Sequence, residues 1–331
     1  MTVNRFHQTY LVNLTAALLG LMIFCNGVFA QNCPSKSIRM IVTFPPGGGA
    51  DSLARTVAPK LTEIGGLQVI VDNRPGAAGN IGAEIVARSL PDGCTLLWGH
   101  SSALVVNPSL YTNLPFDTIK DFAPILLLGS TQYLLLVHSS MQANSAKDLA
   151  ELVKKSKPGQ FTYSSSGIGS PNHLAAEVYK SMAGIDIVHI PYKGGGPAVI
   201  AVLSGEVKMF FGSVAASLPQ LKAGTLKALA VTGPSRAPEA PDIPTMQESG
   251  FPGFDVRAWY GVLAPAATPQ NIVLRFHRNL TQILTMPEVR AALKREGLDI
   301  YMTTPQEFAE YIRTQKLFWA KVIKDARIKA E

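Results

Sequence analysis

Apolar runs and helical periodicities alternate along the first third of the chain. An apolar run at 38–44 is stopped by two prolines and three glycines, and the runs at 67–72 and 95–99 also predict strands. A short helix is predicted at 81–89. The segment after the first run places apolar residues at the spacing of an amphipathic helix: Leu53, Val57, Leu61 and Ile64. This βαβαβ order predicts a parallel sheet covered by helices on both faces.

The same alternation resumes after residue 123 in a way that predicts a second sheet. The segment 123–137 holds two apolar runs, 125–128 and 133–137, and is long enough to leave one sheet and enter another. Beyond it we predict helices at 145–156, 174–182, 198–203 and 215–223, and strands at 161–164, 186–189, 207–211 and 226–232. A proline-rich return crossing at 234–253 precedes a strand at 259–264 and helices at 269–285, 287–296, 305–312 and 313–329. We therefore expect an α/β protein with two lobes and a ligand cleft between them: 31–132 with 255–331, and 133–254.

The first thirty residues have the pattern of a secretory signal peptide. Arg5 precedes an apolar stretch at 11–24, and Val28-Phe29-Ala30 offers a site for signal peptidase. We predict cleavage after Ala30 and export to the periplasm. A lipoprotein signal would use Cys25, but the bulky Phe24 before it disfavours that alternative.

Composition and charge narrow the function classes. Of the 331 residues 47% are hydrophobic and 16% charged, which excludes a disordered chain. The formal net charge is +7, yet the basic residues are scattered and form no stripe or known motif. We therefore expect no nucleic-acid partner. The charge is more consistent with a mildly basic protein that binds small anions.

Export changes the interpretation of the cysteines. Cys33 and Cys94 remain after cleavage, and in an oxidising compartment they are predicted to form a disulfide. Two unpaired buried cysteines are the alternative. The histidines show no metal-ligand spacing, so no metal is expected.

Three glycine-rich loops carry the candidate chemistry. The loops 44–51, 164–173 and 191–197 each follow a predicted strand and open a helix, and 76–82 is a fourth candidate. Glycine lets backbone amides approach a ligand, and a helix start presents unpaired N–H groups to an anion. The alternative is that they are ordinary turns between strands and helices. None matches a P-loop or dinucleotide pattern, so no nucleotide cofactor is expected.

The candidate ligand-binding residues come from these loops and the neighbouring strand ends. They are Phe44, Pro46, Gly47, Gly48, Asp51, Asn80, Ser101, Ser166, Gly167, Gly169, Ser170, His173, Tyr192 and Lys193. Asp51 is best explained as a helix-start charge that meets the dipole. Lys193 is either a counter-ion for the ligand or a solvated loop residue. Phe44 and Tyr192 either wall the pocket or belong to the core.

An exported hydrolase is the enzyme alternative for the same cleft. Ser166 and His173 are close in sequence, and Asp51 could complete a triad. However, no Gly-x-Ser-x-Gly elbow occurs, and a histidine at a helix start usually caps or packs. The sequence therefore favours a binding protein without catalysis.

Five segments together resemble a known receptor family. They read FPPGGGADSLAR at 44–55, NRPGAAGNIG at 73–82, PDGCTLL at 91–97, HIPYKGGGPA at 189–198 and WYGVLAP at 259–265. In order and spacing they are similar to the substrate-binding receptors of tripartite tricarboxylate transporters, the Bug receptors. The resemblance covers essentially the whole chain after residue 30.

This resemblance implies a hinge-closing periplasmic receptor that captures a small carboxylate and passes it to integral-membrane permease subunits. Loops such as 44–51 and 164–170 would hold one carboxylate, and neither cofactor nor catalysis is implied. A receptor that feeds a signalling partner remains an alternative, and we expect a monomer. One departure is Gly212, where many members have Asp. Asp51 is the only acidic residue in the named loops, so an amino group on the ligand would lack a charged partner. We therefore expect a carboxylate that carries no amino group.

Overall fold

The strands of the protein form two separate sheets. A computed structural model describes residues 33, 37–326 and 328–329. The first sheet contains β1 (Ser37–Val42), β2 (Gln68–Asn73), β3 (Thr95–His100), β4 (Phe122–Thr131), β10 (Ala258–Pro265) and β11 (Leu298–Ile300). The second contains β5 (Tyr133–His138), β6 (Thr162–Ser165), β7 (Val188–Pro191), β8 (Met209–Ser213) and β9 (Leu226–Val231). The predicted signal peptide and its cleavage site lie outside the described residues.

Helices separate most of the strands. They are α1 (Gly49–Gly65), α2 (Asn80–Ala87), α3 (Asn107–Leu110), α4 (Ala146–Lys155), α5 (Pro171–Ala183), α6 (Gly195–Leu203), α7 (Val214–Lys222), α8 (Gln270–Thr285), α9 (Pro287–Arg295) and α10 (Pro305–Asp325). In the part of the chain that the structure describes, none of them combines the length and apolar character that crossing a membrane requires. The α/β fold class with two sheets is confirmed.

The first sheet is mixed. Its strand order is β11-β4-β10-β3-β1-β2, and β1 pairs in parallel with both β2 and β3, as the βαβαβ pattern predicts. β10 returns from the end of the second sheet and lies antiparallel between β3 and β4. The C-terminal segment therefore completes the sheet that the N-terminal segment begins.

The chain crosses between the sheets twice, and the crossings lie side by side. Gln132 alone separates β4 of the first sheet from β5 of the second, which confirms the predicted change of sheet. The return runs from β9 to β10. Gln132 is buried, and its side chain fills the space that a Cβ on Gly233 would need. The Gln132 Nε2 also donates to the carboxylate of Asp299, 3.3 Å away, so the crossing is tied to the first sheet.

Two features differ from the sequence prediction. The predicted break between helices 305–312 and 313–329 is wrong, because α10 continues through it. No proline or glycine interrupts the segment, and Phe308, Ile312, Trp319 and Ile323 keep one apolar face buried. The residues from Ser102 to Leu110, for which no helix was predicted, form a π-helical turn that continues into α3.

A disulfide closes a long loop of the first sheet. Cys33 is bonded to Cys94, with the Cα atoms 4.9 Å apart, which confirms the predicted pairing. Cys94 comes directly before β3, and its carbonyl accepts a hydrogen bond from the Arg39 N–H of β1 at 2.8 Å. The bond therefore fastens the chain before β1 to the central strands.

Two histidine rings pack against each other behind the loop that follows β6. His173 and His189 have ring centroids 4.3 Å apart. His173 Nδ1 accepts from the Gly169 N–H at 3.2 Å, and His189 Nε2 hydrogen-bonds the Ser165 hydroxyl at 2.6 Å. Burial, with smaller contributions from His189 and Lys180, lowers the pKa of His173 to about 3. Burial and then Lys180 lower the pKa of His189 to about 4.

Removing the disulfide should destabilise the fold without abolishing it. The bond closes a segment with a sequence separation of 61. Closing a loop of that length reduces the conformational entropy of the unfolded chain, which stabilises the fold by about 4 kcal/mol. Removing a native disulfide commonly costs about 2–5 kcal/mol of unfolding free energy. We expect the Cys33→Ser/Cys94→Ser variant to lose about 2–4 kcal/mol of unfolding free energy in urea titrations. Equal midpoints with and without reductant in the parent protein would contradict this role.

His173 and His189 should make the fold sensitive to mild acid. Both folded pKa values lie below that of an unfolded histidine, about 6.5, so the unfolded chain takes up protons first as the pH falls. The two neutral histidines make their full contribution to the free energy of unfolding above about pH 7. As the pH falls from about 6.5 toward 4, this free energy decreases by about 1.4 kcal/mol per pH unit for each histidine. Urea titrations at several pH values measure the slope. His189→Gln should make it shallower, and an unchanged slope would contradict the assignment.

Candidate functional site

A cavity of about 850 Å³ lies where loops of the two sheets face each other. That volume is within the range of small-molecule sites. The first sheet and its loops contribute Thr43–Ala50, Pro75–Gly79, His100, Tyr111 and Tyr260. The second sheet and its loops contribute Tyr133 at the crossing, Ser166–Ile168, Ser170, Pro171 and Lys193–Pro197. The loops that the sequence singled out at 44–51, 76–82, 164–173 and 191–197 thus all contribute to one cavity.

Three helices begin at the cavity wall with a glycine as their N-cap residue. These are Gly48 for α1, Gly79 for α2 and Gly194 for α6, and none provides a side-chain cap. Gly194 has φ 111°, a conformation that other residues rarely adopt. The first N–H groups of α1 and α6 are therefore available to a ligand, whereas the Asn80 N–H at the start of α2 already donates to the Ala77 carbonyl. Each helix presents the positive end of its dipole. Such starts favour an anion.

Asp51 supports this wall from behind. It is 4% exposed, and its carboxylate accepts hydrogen bonds from the Gly47 N–H at 2.9 Å, Arg55 Nε at 3.0 Å and Asn73 Nδ2 at 3.0 Å. Burial acts to raise the pKa of Asp51, but hydrogen bonds from Arg55, Gly47 and Asn73 outweigh it and lower the pKa below its ordinary value. The charge is thus satisfied within the protein, and the loop 44–49 is held in place by it.

The opposite wall is organised by Asn172. Its Oδ1 accepts from the Ser166 N–H at 3.2 Å, the Ser166 hydroxyl at 2.7 Å and the Ser170 hydroxyl at 2.7 Å. Ser170 also caps α5 by accepting from the His173 N–H at 3.4 Å. The loop is therefore rigidly hydrogen-bonded, and the Gly167 backbone is left on the cavity side.

The geometry does not assemble the residues of the hydrolase alternative. Ser166 bonds Asn172, and His173 uses its Nδ1 to accept from Gly169. Asp51 lies on the other side of the cavity, where it is engaged by Arg55. Among the described residues there is also no group of three or more His, Cys, Asp or Glu residues arranged to hold a metal ion.

One wall of the cavity is aromatic and uncharged. The His100 ring packs against Phe44 with centroids 4.7 Å apart and against Tyr260 at 5.1 Å. Burial raises the pKa of Tyr260 to about 12 and holds that of Tyr133 well above its ordinary value, while it lowers the pKa of His100 to about 3. All three rings are neutral at physiological pH. Of the described lining residues, Lys193 alone carries a charge.

The predicted site residues divide between the lining and the layer behind it. Those on the lining are Phe44, Pro46, Gly47, Gly48, Ser166, Gly167, Ser170 and Lys193. Those outside it are Asp51, Asn80, Ser101, Gly169, His173 and Tyr192. Asn80 Oδ1 accepts from Asn107 Nδ2 at 2.6 Å, and the Tyr192 hydroxyl donates to Glu206 at 2.9 Å. The predicted residues outside the lining therefore either hold the cavity loops in place or point away from the cavity.

Sequence reasoning missed His100, Tyr133 and Tyr260. His100 ends β3, so the rule that α/β sheets bind ligands at the carboxyl ends of their strands could have found it. Tyr260 pairs with His100 across the β3–β10 ladder, a register that no local pattern shows. Tyr133 is the first residue of β5, directly after the crossing at Gln132.

Gly212, the one departure from the resemblance, lies inside the second lobe's packing. A Cβ at this position would be 2.6 Å from Leu136 Cδ1 and 2.7 Å from the Ser217 Oγ. Gly212 is not among the lining residues. A side chain at this position would therefore have to displace the ends of the Leu136 and Ser217 side chains.

Comparisons with known proteins agree with this architecture. Residues 53–328 match the model of the tripartite tricarboxylate transporter family receptor. BugT of Bordetella pertussis is 34% identical over 95% of this chain and 97% of its own. Among solved structures, R. palustris Rpa4515 with adipate superposes with a TM-score of 0.83 at 32% identity, covering 90% of this chain and 99% of that one.

A further solved structure, MatC from Rhodopseudomonas palustris with bound malate, has a TM-score of 0.80 at 28% identity and covers 88% of this chain and 99% of its own. These full-length similarities, together with the two sheets and the cavity between them, show that the chain belongs to the receptor family of the tripartite tricarboxylate transporters.

Proposed function

We propose that this chain is a periplasmic receptor that captures a small carboxylate without an amino group and delivers it to the membrane permease subunits of a tripartite tricarboxylate-type transporter. Export follows cleavage of the signal peptide after Ala30, and the receptor acts as a monomer by hinge closure, with neither catalysis nor a cofactor. The observation that carries this proposal is the convergence of three glycine-capped helix starts on one cavity.

The helix starts suit a carboxylate because they supply several donors without a fixed countercharge. Neutral amides replace the water that a carboxylate loses on binding, and the helix dipoles add a favourable field. Lys193 supplies a cation on the loop between β7 and α6. The solved relatives bind acids of this kind, adipate in one and malate in the other.

The same lining disfavours an ammonium group. No acidic side chain belongs to the described lining, and Asp51 already accepts three hydrogen bonds behind it. An α-amino group in the cavity would lose its hydration without gaining a carboxylate partner, which costs several kcal/mol. Deaminated acids should therefore bind more tightly than amino acids of the same length.

We propose that the sheets belong to two lobes, 31–132 with 255–331 and 133–254, that close over the ligand. The crossings at Gln132 and Gly233 lie next to each other, so that bending at both moves one sheet against the other. The ligand shifts the population toward the closed form because loops of both sheets contact it only there.

Calorimetry with matched acids tests the ligand class. We expect wild-type protein to bind succinate or adipate and to bind aspartate or 2-aminoadipate at least about tenfold more weakly, because the ammonium lacks a partner. Mass spectrometry of ligand released from protein purified without refolding identifies the native compound. An amino acid bound tightly, with its deaminated analogue ignored, would contradict the proposed class.

Gly48→Val tests the location of the site. Gly48 has φ −87° and ψ 169°, which valine adopts readily, and its Cβ would meet only the Pro45 carbonyl at 3.6 Å. The fold should persist while the isopropyl group obstructs the start of α1, so that acid affinity falls at least about tenfold. Gly65→Val, at the far end of the same helix, is the matched control and should retain binding.

Gly169 is a less suitable position for this test. Its φ is +74°, and a Cβ would lie 3.2 Å from Asn107 Oδ1, so a substitution there would strain the fold.

Full acid affinity in a folded Gly48→Val variant would contradict the proposed site, because it would place the ligand away from the start of α1.

A further inference from the structure

His100 occupies a fixed position in the aromatic wall of the cavity. It is the last residue of β3 and is only 3% exposed. Its ring has two edge-on aromatic neighbours, Phe44 and Tyr260. Tyr260 is also its partner across the β-ladder. The strand and both rings hold the imidazole in one orientation.

The backbone assigns the tautomer of this imidazole. The Ser102 N–H donates to His100 Nδ1 at 3.1 Å, so Nδ1 is an acceptor and the ring hydrogen is on Nε2. Protonation would put a second hydrogen on Nδ1, pointing at the Ser102 N–H. That conflict and the burial both oppose the charged form, in agreement with the lowered pKa of His100. Tyr260, the titratable neighbour, stays neutral because its own pKa is about 12.

Among the described residues, the His100 Nε2–H has no hydrogen-bond partner. The Nε2 atom is also absent from the set of described side-chain atoms that are fully buried without a partner. It therefore keeps some access to solvent. His100 belongs to the lining. The Nε2–H is therefore a donor that faces the cavity.

We propose that His100 determines specificity: its neutral Nε2–H donates to an uncharged oxygen on the body of the ligand, so that the receptor selects oxygenated carboxylic acids over hydrocarbon analogues. The inference rests on the proposed function. A hydroxyl, carbonyl or phenol oxygen suits an uncharged donor among aromatic rings. A second carboxylate there would lose hydration without a cation, since Lys193 lies on a loop of the other sheet.

A methylene group opposite His100 would leave the Nε2–H unpaired in the closed cavity. Desolvating a donor without replacing its hydrogen bond is unfavourable, and the cost is comparable with a tenfold change in affinity. Discrimination thus arises mainly from the penalty on the hydrocarbon analogue.

Calorimetry with three matched pairs tests this role: malate with succinate, 4-oxopentanoate with pentanoate, and 4-hydroxybenzoate with benzoate. In wild-type protein we expect at least one oxygenated member to bind about tenfold more tightly than its analogue. His100→Phe keeps an aromatic ring and removes the donor, so it should erase that preference. His100→Gln keeps an amide donor and should restore part of it, and the preference should be constant from pH 5.5 to 8 because the ring stays neutral.

The outcomes separate this inference from the proposed function. Equal affinities within every pair, or equal weakening of both members by His100→Phe, would overturn the role of His100 while leaving a carboxylate receptor. A preference that grows as the pH falls through 6.5 would also overturn it, since the donor would then be an imidazolium. Absence of binding by all six acids and by adipate would contradict the proposed function itself.

Discussion

The site depends on one constraint of helical backbone: the first N–H groups of a helix have no acceptor within the helix. Three helices satisfy one of these groups with a side chain at the N-cap: Ser145 in α4, Ser170 in α5 and Thr304 in α10. Three of the helices that begin at the cavity, α1, α2 and α6, have glycine instead. The first amides of α1 and α6 remain available to a ligand, and the hydrogen bonds of Asp51 and Asn172 hold the surrounding loops in place.

The chain path brings these helix starts together from distant parts of the sequence. α1 and α2 follow strands of the first sheet, and α6 follows β7 of the second. Because β4 continues into β5 with a single residue between them, the loops of the second sheet are placed opposite those of the first. The return through Gly233 and β10 then anchors the C-terminal helices on the first sheet and brings Tyr260 beside His100.

Local signals in the sequence predicted the glycine-rich loops, the parallel strands and the change of sheet near residue 132, because each depends on residues close in the chain. The tyrosines of the wall could not be predicted in this way, since Tyr260 reaches His100 only through the register of β10. The role of Asp51 was also hidden, because Arg55 and Asn73 hold it from behind. The split of α10 was predicted where no residue breaks a helix, and burial of one continuous face overrides it.

Recognition by dipoles links binding to release. In the proposed site, amides of α1 from the first sheet and of α6 from the second would hold the anion, and Lys193 is the one charged side chain on the described lining. Opening the cleft would remove the contribution of α6 and Lys193 together, and the first sheet's part of the described lining has no charged side chain that would retain the ligand. Capture therefore requires both walls, and separation of the walls is sufficient to lower the affinity. Several weak hydrogen-bond donors divided between two lobes therefore suit a receptor that has to release its ligand to another protein.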